Sequence, residues 1–250
     1  MELTVSQMIQ AAAAAFLTGF SKTGMVGLGV LIVPLMASVF PAKASTGALL
    51  PMLIFGDLFA VAWYRQHAQW RVLARILPWV LPGLVVGTVT LKFTSSAALG
   101  HMMGWLILLL IALQLVRERG GEWLEERLPR AWWFSALMGA LAGFTTMVGN
   151  LGGPIATVYL LSMGLEKREF MGTGAWYYLI GNLAKVPFSA GLGLITARSL
   201  MFNLETAPVI LIGAIVGILT FRLIPQKWFN RAVLLLAALA ALQLLLIPRG

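Results

Sequence analysis

GFSKTGMVGLGVLIVP, running from Gly19 to Pro34, puts four glycines and a lysine between two apolar arms, AAAAAFLT before it and LIVPLMASVF after. Each glycine weakens a helix by roughly 1 kcal/mol, and a lysine is costly in apolar surroundings. The stretch is therefore either a loop in water or interrupted backbone held at depth inside a membrane. The rest of the chain decides between them.

Of the 250 residues, 60% are hydrophobic and only 11% charged, and the mean hydropathy is +0.89. A water-soluble domain exposes far more charge, so the chain reads as an all-α polytopic membrane protein. Helices rather than a barrel are implied, because the apolar runs are continuous and do not alternate at a period of two. The net charge of +9 fits basic loops facing an anionic cytoplasmic leaflet and requires no nucleic-acid partner. Ahead of the first apolar run stands Glu2 with no Lys or Arg. A cleavable signal peptide needs a basic start, so the N-terminus is expected to be mature structure. The absence of cysteine removes disulfides, thiolate nucleophiles and soft-metal sites, and His67 and His101 are too few for a ligand cluster. No cofactor and no metal site is expected.

The sequence is also written twice. Gly19-Phe20 recurs as Gly143-Phe144, Gly29 as Gly153 and Lys43 as Lys167, each 124 residues on. Gly56-Asp57 matches Gly181-Asn182, and GLVVGTVTLK (Gly83 to Lys92) answers GAIVGILTFR (Gly213 to Arg222). Ala112-Leu113-Gln114-Leu115 returns as Ala241-Leu242-Gln243-Leu244. Ordered matches that include Asp/Asn and Lys/Arg are not the chance coincidences of Leu, Ala and Gly. Two homologous halves follow, 1–116 and 131–250. They are joined by the charged connector RERGGEWLEERLPR (117–130), expected to form a short cytoplasmic amphipathic helix without chemistry of its own.

Each half holds four apolar segments. They are roughly Val5–Phe40, Ser45–Tyr64, Leu73–Leu91 and Leu99–Val116, then Trp132–Met163, Phe170–Leu194, Thr206–Phe221 and Ala232–Ile247. A crossing takes about 20 apolar residues, so the last three segments of each half cross once. The first is too long for one crossing and too short for two. If both first segments are re-entrant hairpins, each half crosses three times and the halves are inverted repeats. One side then carries Arg65, Arg71, Arg75, the connector's arginines, Lys167, Arg168, Arg222, Lys227 and Arg231, and the other keeps Lys43, Lys92, Arg198 and Arg249. Eight full crossings with parallel halves, the alternative, divide the charges almost evenly; the positive-inside rule prefers inversion. Arms of about 15 residues reach some 22 Å, so a tip at Ser21–Gly29 ends near or beyond the bilayer midplane. Backbone of that kind persists only where protein or water covers it. Two inverted hairpins meeting there would offer half-helix N-termini to an anion.

Lys22 lies in the first break, with Thr146 and Asn150 in the matching region of the second half and Gly152 and Gly153 beside them. Together with Ser21, Gly24, Gly27, Asn182 and Lys185 these form the candidate substrate-binding set. A snorkelling interfacial lysine is the bland alternative for Lys22, but ionisable groups at membrane depth default to function. Asp57, in FGDLFAV, is the coupling candidate: it carries a proton through the cycle or forms a fixed pair with Lys22 or Lys185. Asn182 donates to substrate or cross-links helices, and Gly83/Gly87 and Gly213/Gly217 read as helix-packing pairs. Trp63-Tyr64, Trp132-Trp133 and Trp228 fit an aromatic belt, whereas Trp176-Tyr177-Tyr178 falls inside a segment and either lines a cavity or faces lipid.

GFSKTGMVGLGVLIVPLMA, YRQHAQWRVLARILPWVLPGLVVGT and GNLAKVPFSAGLGLI, with the Gly-rich GNLGGPIATVYLLSMG of the second half, resemble the TauE/SafE (sulfite exporter) family over nearly the whole chain. The resemblance implies movement of small sulfur-containing anions, or organic sulfonates and carboxylates, across the bacterial inner (cytoplasmic) membrane. The glycine run of the first half is thinned to Gly24, Gly27 and Gly29, and the second half has no counterpart of Lys22. The leading expectation is a secondary transporter of a small anion, working by alternating access between the halves, with proton coupling through Asp57. An uncoupled anion channel using the same site is the alternative. An intramembrane enzyme is disfavoured, since no H-E-x-x-H motif, cysteine nucleophile or Ser/His pair is visible, and no Walker motif is present. The expected partners are a small anionic substrate and the lipid bilayer; a homo-oligomer is left open.

Overall fold

The computed structural model describes residues 4–24, 28–220 and 226–246. Among them the chain forms α1 (Val5–Thr23), α2 (Gly29–Val39), α3 (Ala42–Tyr64), a 3-10 turn at Arg65–His67, α4 (Trp70–Phe93) and α5 (Ser96–Arg127). The second half gives α6 (Trp132–Gly149), α7 (Gly153–Ser162), α8 (Lys167–Gly191), α9 (Ala197–Thr220) and α10 (Gln226–Leu246). Among the described residues, four stretches are long and apolar enough to cross a membrane: α3 with its 3-10 turn, α4, the Ser96–Val116 part of α5, and α9.

Thr4 starts α1 with a reciprocal capping box. Its hydroxyl accepts from the Gln7 N–H at 3.3 Å, and Gln7 Oε1 accepts from the Thr4 N–H at 3.0 Å. The helix stops where the glycine-rich tip begins, and α2 folds back along it. At the open end, Ser38 Oγ donates to Gln10 Oε1 at 2.9 Å. The second half repeats this shape. There Asn150 turns the chain between α6 and α7, and Arg130 Nε donates to the Ser162 carbonyl at 2.8 Å across the open end. Each long opening segment is thus an interrupted hairpin. Its returning arms, 11 residues in α2 and 10 in α7, span about 15 Å, roughly half a hydrocarbon core.

Small residues decide how the helices pair. α1 lies along α9, and α6 along α4; α2 packs on α10, and α7 on α5. A Cβ at Gly19 would sit 1.9 Å from the Ile210 oxygen, and one at Gly213 would sit 2.1 Å from the Phe16 oxygen. At the other pair, a Cβ at Gly83 would sit 2.2 Å from the Ala140 oxygen and one at Gly143 2.2 Å from the Val80 oxygen. Backbones come this close only where no side chain intervenes, which is the packing role expected for Gly83 and Gly213.

The same contacts give direction. Gly139 lies against Trp79 and Gly87 against Met147, so α6 and α4 run parallel; Phe16 meets Gly213 and Gly24 meets Gly217, so α1 and α9 do too. α3 and α8 pack side by side and run antiparallel: Gly47 faces Leu194, Asp57 bonds Asn182, and Gly172 faces the Tyr64 carbonyl. The start of α3 therefore lies at one end of the bundle and the start of α8 at the other.

Val86 on α4 and Ile212 on α9 are 57% and 54% exposed, while Asp57 and Lys185 are 0% and 1% exposed. An apolar outer belt around buried charge suits a bilayer, not water. Trp63, Trp132 and Trp133 are exposed near helix ends, as an aromatic belt requires; the side chain of Trp228 lies outside the described residues. The connector prolongs α5, kinks at Gly121 (φ 49°, ψ −146°), a conformation open to glycine, and resumes as a short helix to Arg127.

Candidate functional site

The facing ends of α1 and α2 and the turn between α6 and α7 meet the middles of α3 and α8 around a cavity of about 90 Å³. At ~10–15 Å³ for each enclosed water, that is room for a small ion with part of its hydration. α1 contributes Ser21 and Lys22, α2 contributes Gly29, and α3 contributes Asp57. Thr146, Asn150, Gly152 and Gly153 come from the second tip, and Tyr177, Tyr178, Gly181 and Asn182 from α8. The α8 residues recur every three or four positions, which puts them on one helical face.

Lys22 is the charged centre. Its Nζ is 2.7 Å from Asp57 Oδ1, with the lysine side chain 11% exposed. The other carboxylate oxygen, Oδ2, accepts from Asn182 Nδ2 at 2.7 Å. The ammonium also lies 4.6 Å from the Tyr178 ring centroid, a cation–π distance. The Tyr178 hydroxyl donates to the Gly153 carbonyl at 3.2 Å, so one ring joins the lysine of the first tip to the backbone of the second. Gly56 lets the lysine stem lie flat on α3: a Cβ there would be 3.0 Å from Lys22 Cγ.

A second lysine stands behind the wall. Lys185 Nζ donates to Asn150 Oδ1, and Asn150 Nδ2 donates to the Thr46 carbonyl at 3.2 Å. Asn150 has φ 58°, ψ 28°, the left-handed conformation that asparagine tolerates better than most residues. The chain Lys185–Asn150–Thr46 straps the second tip to α8 and α3.

Helix ends add donors. Neither α2 nor α7 carries a side-chain cap at its N-terminus, so their first N–H groups lack helical partners. Gly29, Gly152 and Gly153 bring those ends to the cavity, and a helix N-terminus attracts negative charge. By formal charge two lysines stand against one carboxylate. Asp57 is the single aspartate of the chain and, among the described residues, the one carboxylate that lines the cavity. No group of three His, Asp or Glu among the described residues is placed to hold a metal.

A family model, sulfite exporter TauE/SafE, matches residues 11–244. The chain belongs to the TauE/SafE family. It is accordingly a multi-pass membrane protein of an anion-exporter family, and its outward apolar belt agrees. No curated protein and no solved structure matches the chain.

Within this TauE/SafE chain the structure gathers most of the predicted residues. Ser21, Lys22, Asp57, Thr146, Asn150, Gly152, Gly153 and Asn182 all line one cavity. Two do not. Gly24 packs on α9, where a Cβ would be 2.9 Å from Gly217 Cα, because the tip begins only after this close approach. Lys185 is turned toward Asn150, outside the lining. Gly27 lies outside the described residues. Asp57 takes Lys22, not Lys185, as its ion-pair partner. Of the aromatic trio, Tyr177 and Tyr178 line the cavity, while Trp176 leans on Trp70 at 5.2 Å between centroids.

Sequence reasoning left Gly29 and Gly181 out of the site. A Cβ at either meets nothing within 4 Å, so both open onto free space. A signal existed for each: Gly29 is the counterpart of Gly153, and Gly181 adjoins Asn182.

Proposed function

We propose that this chain exports a small oxyanion, sulfite or a short organic sulfonate or carboxylate, across the bacterial inner membrane by alternating access between two inverted halves. The single observation that carries this function is the lysine that shares a mostly apolar cavity with two half-helix N-termini lacking side-chain caps. A buried ammonium and converging N–H groups select negative charge over neutral solutes, and the small volume selects size. Inversion is supported by the antiparallel run of α3 against α8, the helices that carry the matched Gly56-Asp57 and Gly181-Asn182 pairs. The hairpin ends held by Ser38–Gln10 and by Arg130–Ser162 support re-entrant openers. Midplane sites between broken helices of inverted repeats are the arrangement secondary transporters use.

The test is a thermal-shift screen of purified protein against sulfite, thiosulfate, sulfonates and carboxylates, followed by flux in proteoliposomes. A bound anion raises the melting temperature by mass action. Lys22→Gln removes a charge-assisted contact worth about 1.5–3 kcal/mol, so affinity falls ten-fold or more while the protein remains monodisperse. Wild-type affinity in the folded variant would remove Lys22 from the site.

A further inference from the structure

Asp57 occupies the place on Lys22 that a substrate oxygen would take. Its Oδ1 lies 2.7 Å from the ammonium, and its Oδ2 is fixed by Asn182 at the same distance. Carboxylate and substrate therefore compete for one cation. We infer that Asp57 is a tethered surrogate for the transported anion, holding Lys22 whenever the anion has left so that the unloaded carrier can change face alone. The inference rests on the transport function proposed above and adds to it the mode of transport.

Charge counting supports it. Among the described residues, Lys22 is the cation that lines the cavity, and Asp57 pairs it at 2.7 Å. With no anion bound, Asp57 still pairs Lys22, so the ammonium that must travel with the first tip is never bare. Moving an unpaired charge through a low-dielectric interior is the costly step; an internal carboxylate removes that cost where a simple exchanger must wait for another anion. The carrier then performs net transport and is not confined to one-for-one exchange. Among the described residues, the titratable groups around Asp57 are Lys22 from α1 and Lys185, Tyr177 and Tyr178 from α8, while α2, α6 and α7 add none to the lining. Compensation comes from a fixed carboxylate, so no proton is consumed in the cycle.

The experiment uses the full chain in proteoliposomes loaded with 35S-sulfite under nitrogen. Net efflux into sulfite-free buffer is compared with exchange against external unlabelled sulfite. Wild type should show both, unchanged by an imposed proton gradient. Asp57→Asn should bind sulfite more tightly and lower the ratio of net efflux to exchange by about a hundred-fold, the scale set by leaving a buried charge unpaired. Asp57→Glu should restore net efflux. Undiminished net efflux in Asp57→Asn overturns the inference, as does joint loss of exchange and efflux in a folded, sulfite-binding variant. Wild-type flux that follows the proton gradient overturns it in favour of proton carriage by Asp57. Absence of any wild-type sulfite flux overturns the proposed transport function itself.

Discussion

Glycines at the helix contacts and glycines at the cavity do opposite jobs, and the space around each tells which. Gly143 sits where a Cβ would fall 2.2 Å from the Val80 oxygen, whereas Gly181 faces open cavity. Gly143→Ala therefore overpacks the α4–α6 contact, costing about 1–3 kcal/mol and lowering the melting temperature in detergent. Gly181→Ala folds with wild-type stability and instead weakens anion binding by narrowing the cavity; a normal melt with unchanged affinity would take Gly181 out of the site. Lys22 and Asp57 were legible in the sequence because charge inside an apolar run is rare and demands a reason. Gly29 and Gly181 were legible only through their counterpart and neighbour, Gly153 and Asn182, since a contact glycine and a cavity glycine look identical in one dimension. Lys185 was legible as buried charge, but not its engagement with Asn150, which depends on a left-handed turn that spacing does not reveal.

Among the elements, the interrupted hairpins determine what the site can do. The break after α6 depends on Asn150, whose side chain accepts from Lys185 and donates to Thr46. Asn150→Ala would leave a buried ammonium without its acceptor and put a poor left-handed residue at the turn. A loss of about 3 kcal/mol is expected on the scale of broken buried charge contacts, with faster hydrogen exchange in the first turn of α7. Unchanged exchange there would show that the strap does not hold the tip. Segment lengths announced the hairpins in advance, because each first segment was too long for one crossing and too short for two. The connector was less legible: its charge pattern gave a helix, but that it continues α5 through a kink at Gly121 depends on one backbone torsion.

At the scale of the molecule, ordered matches pointed to a duplication, while the helix partners were not legible. The same small-residue motif occurs in α4 and α9, so sequence alone could not show that each packs on the opening helix of the opposite half. Antiparallel α3 and α8 put Lys43 and Lys167 at opposite ends of the bundle. Single cysteines at 43 and 167, in a chain without native cysteine, should react with membrane-impermeant maleimide from opposite sides. Position 167, at the end rich in arginine, should react from the cytoplasmic side; labelling of both from one side would rule out inversion. The most direct test of the whole account is a structure of the protein soaked with selenite, an oxyanion shaped like sulfite, read at the selenium edge. The expected result is one anomalous peak in the cavity within about 4 Å of Lys22 Nζ, between the N-termini of α2 and α7. A cavity without selenium, or a peak seated away from Lys22, would contradict it.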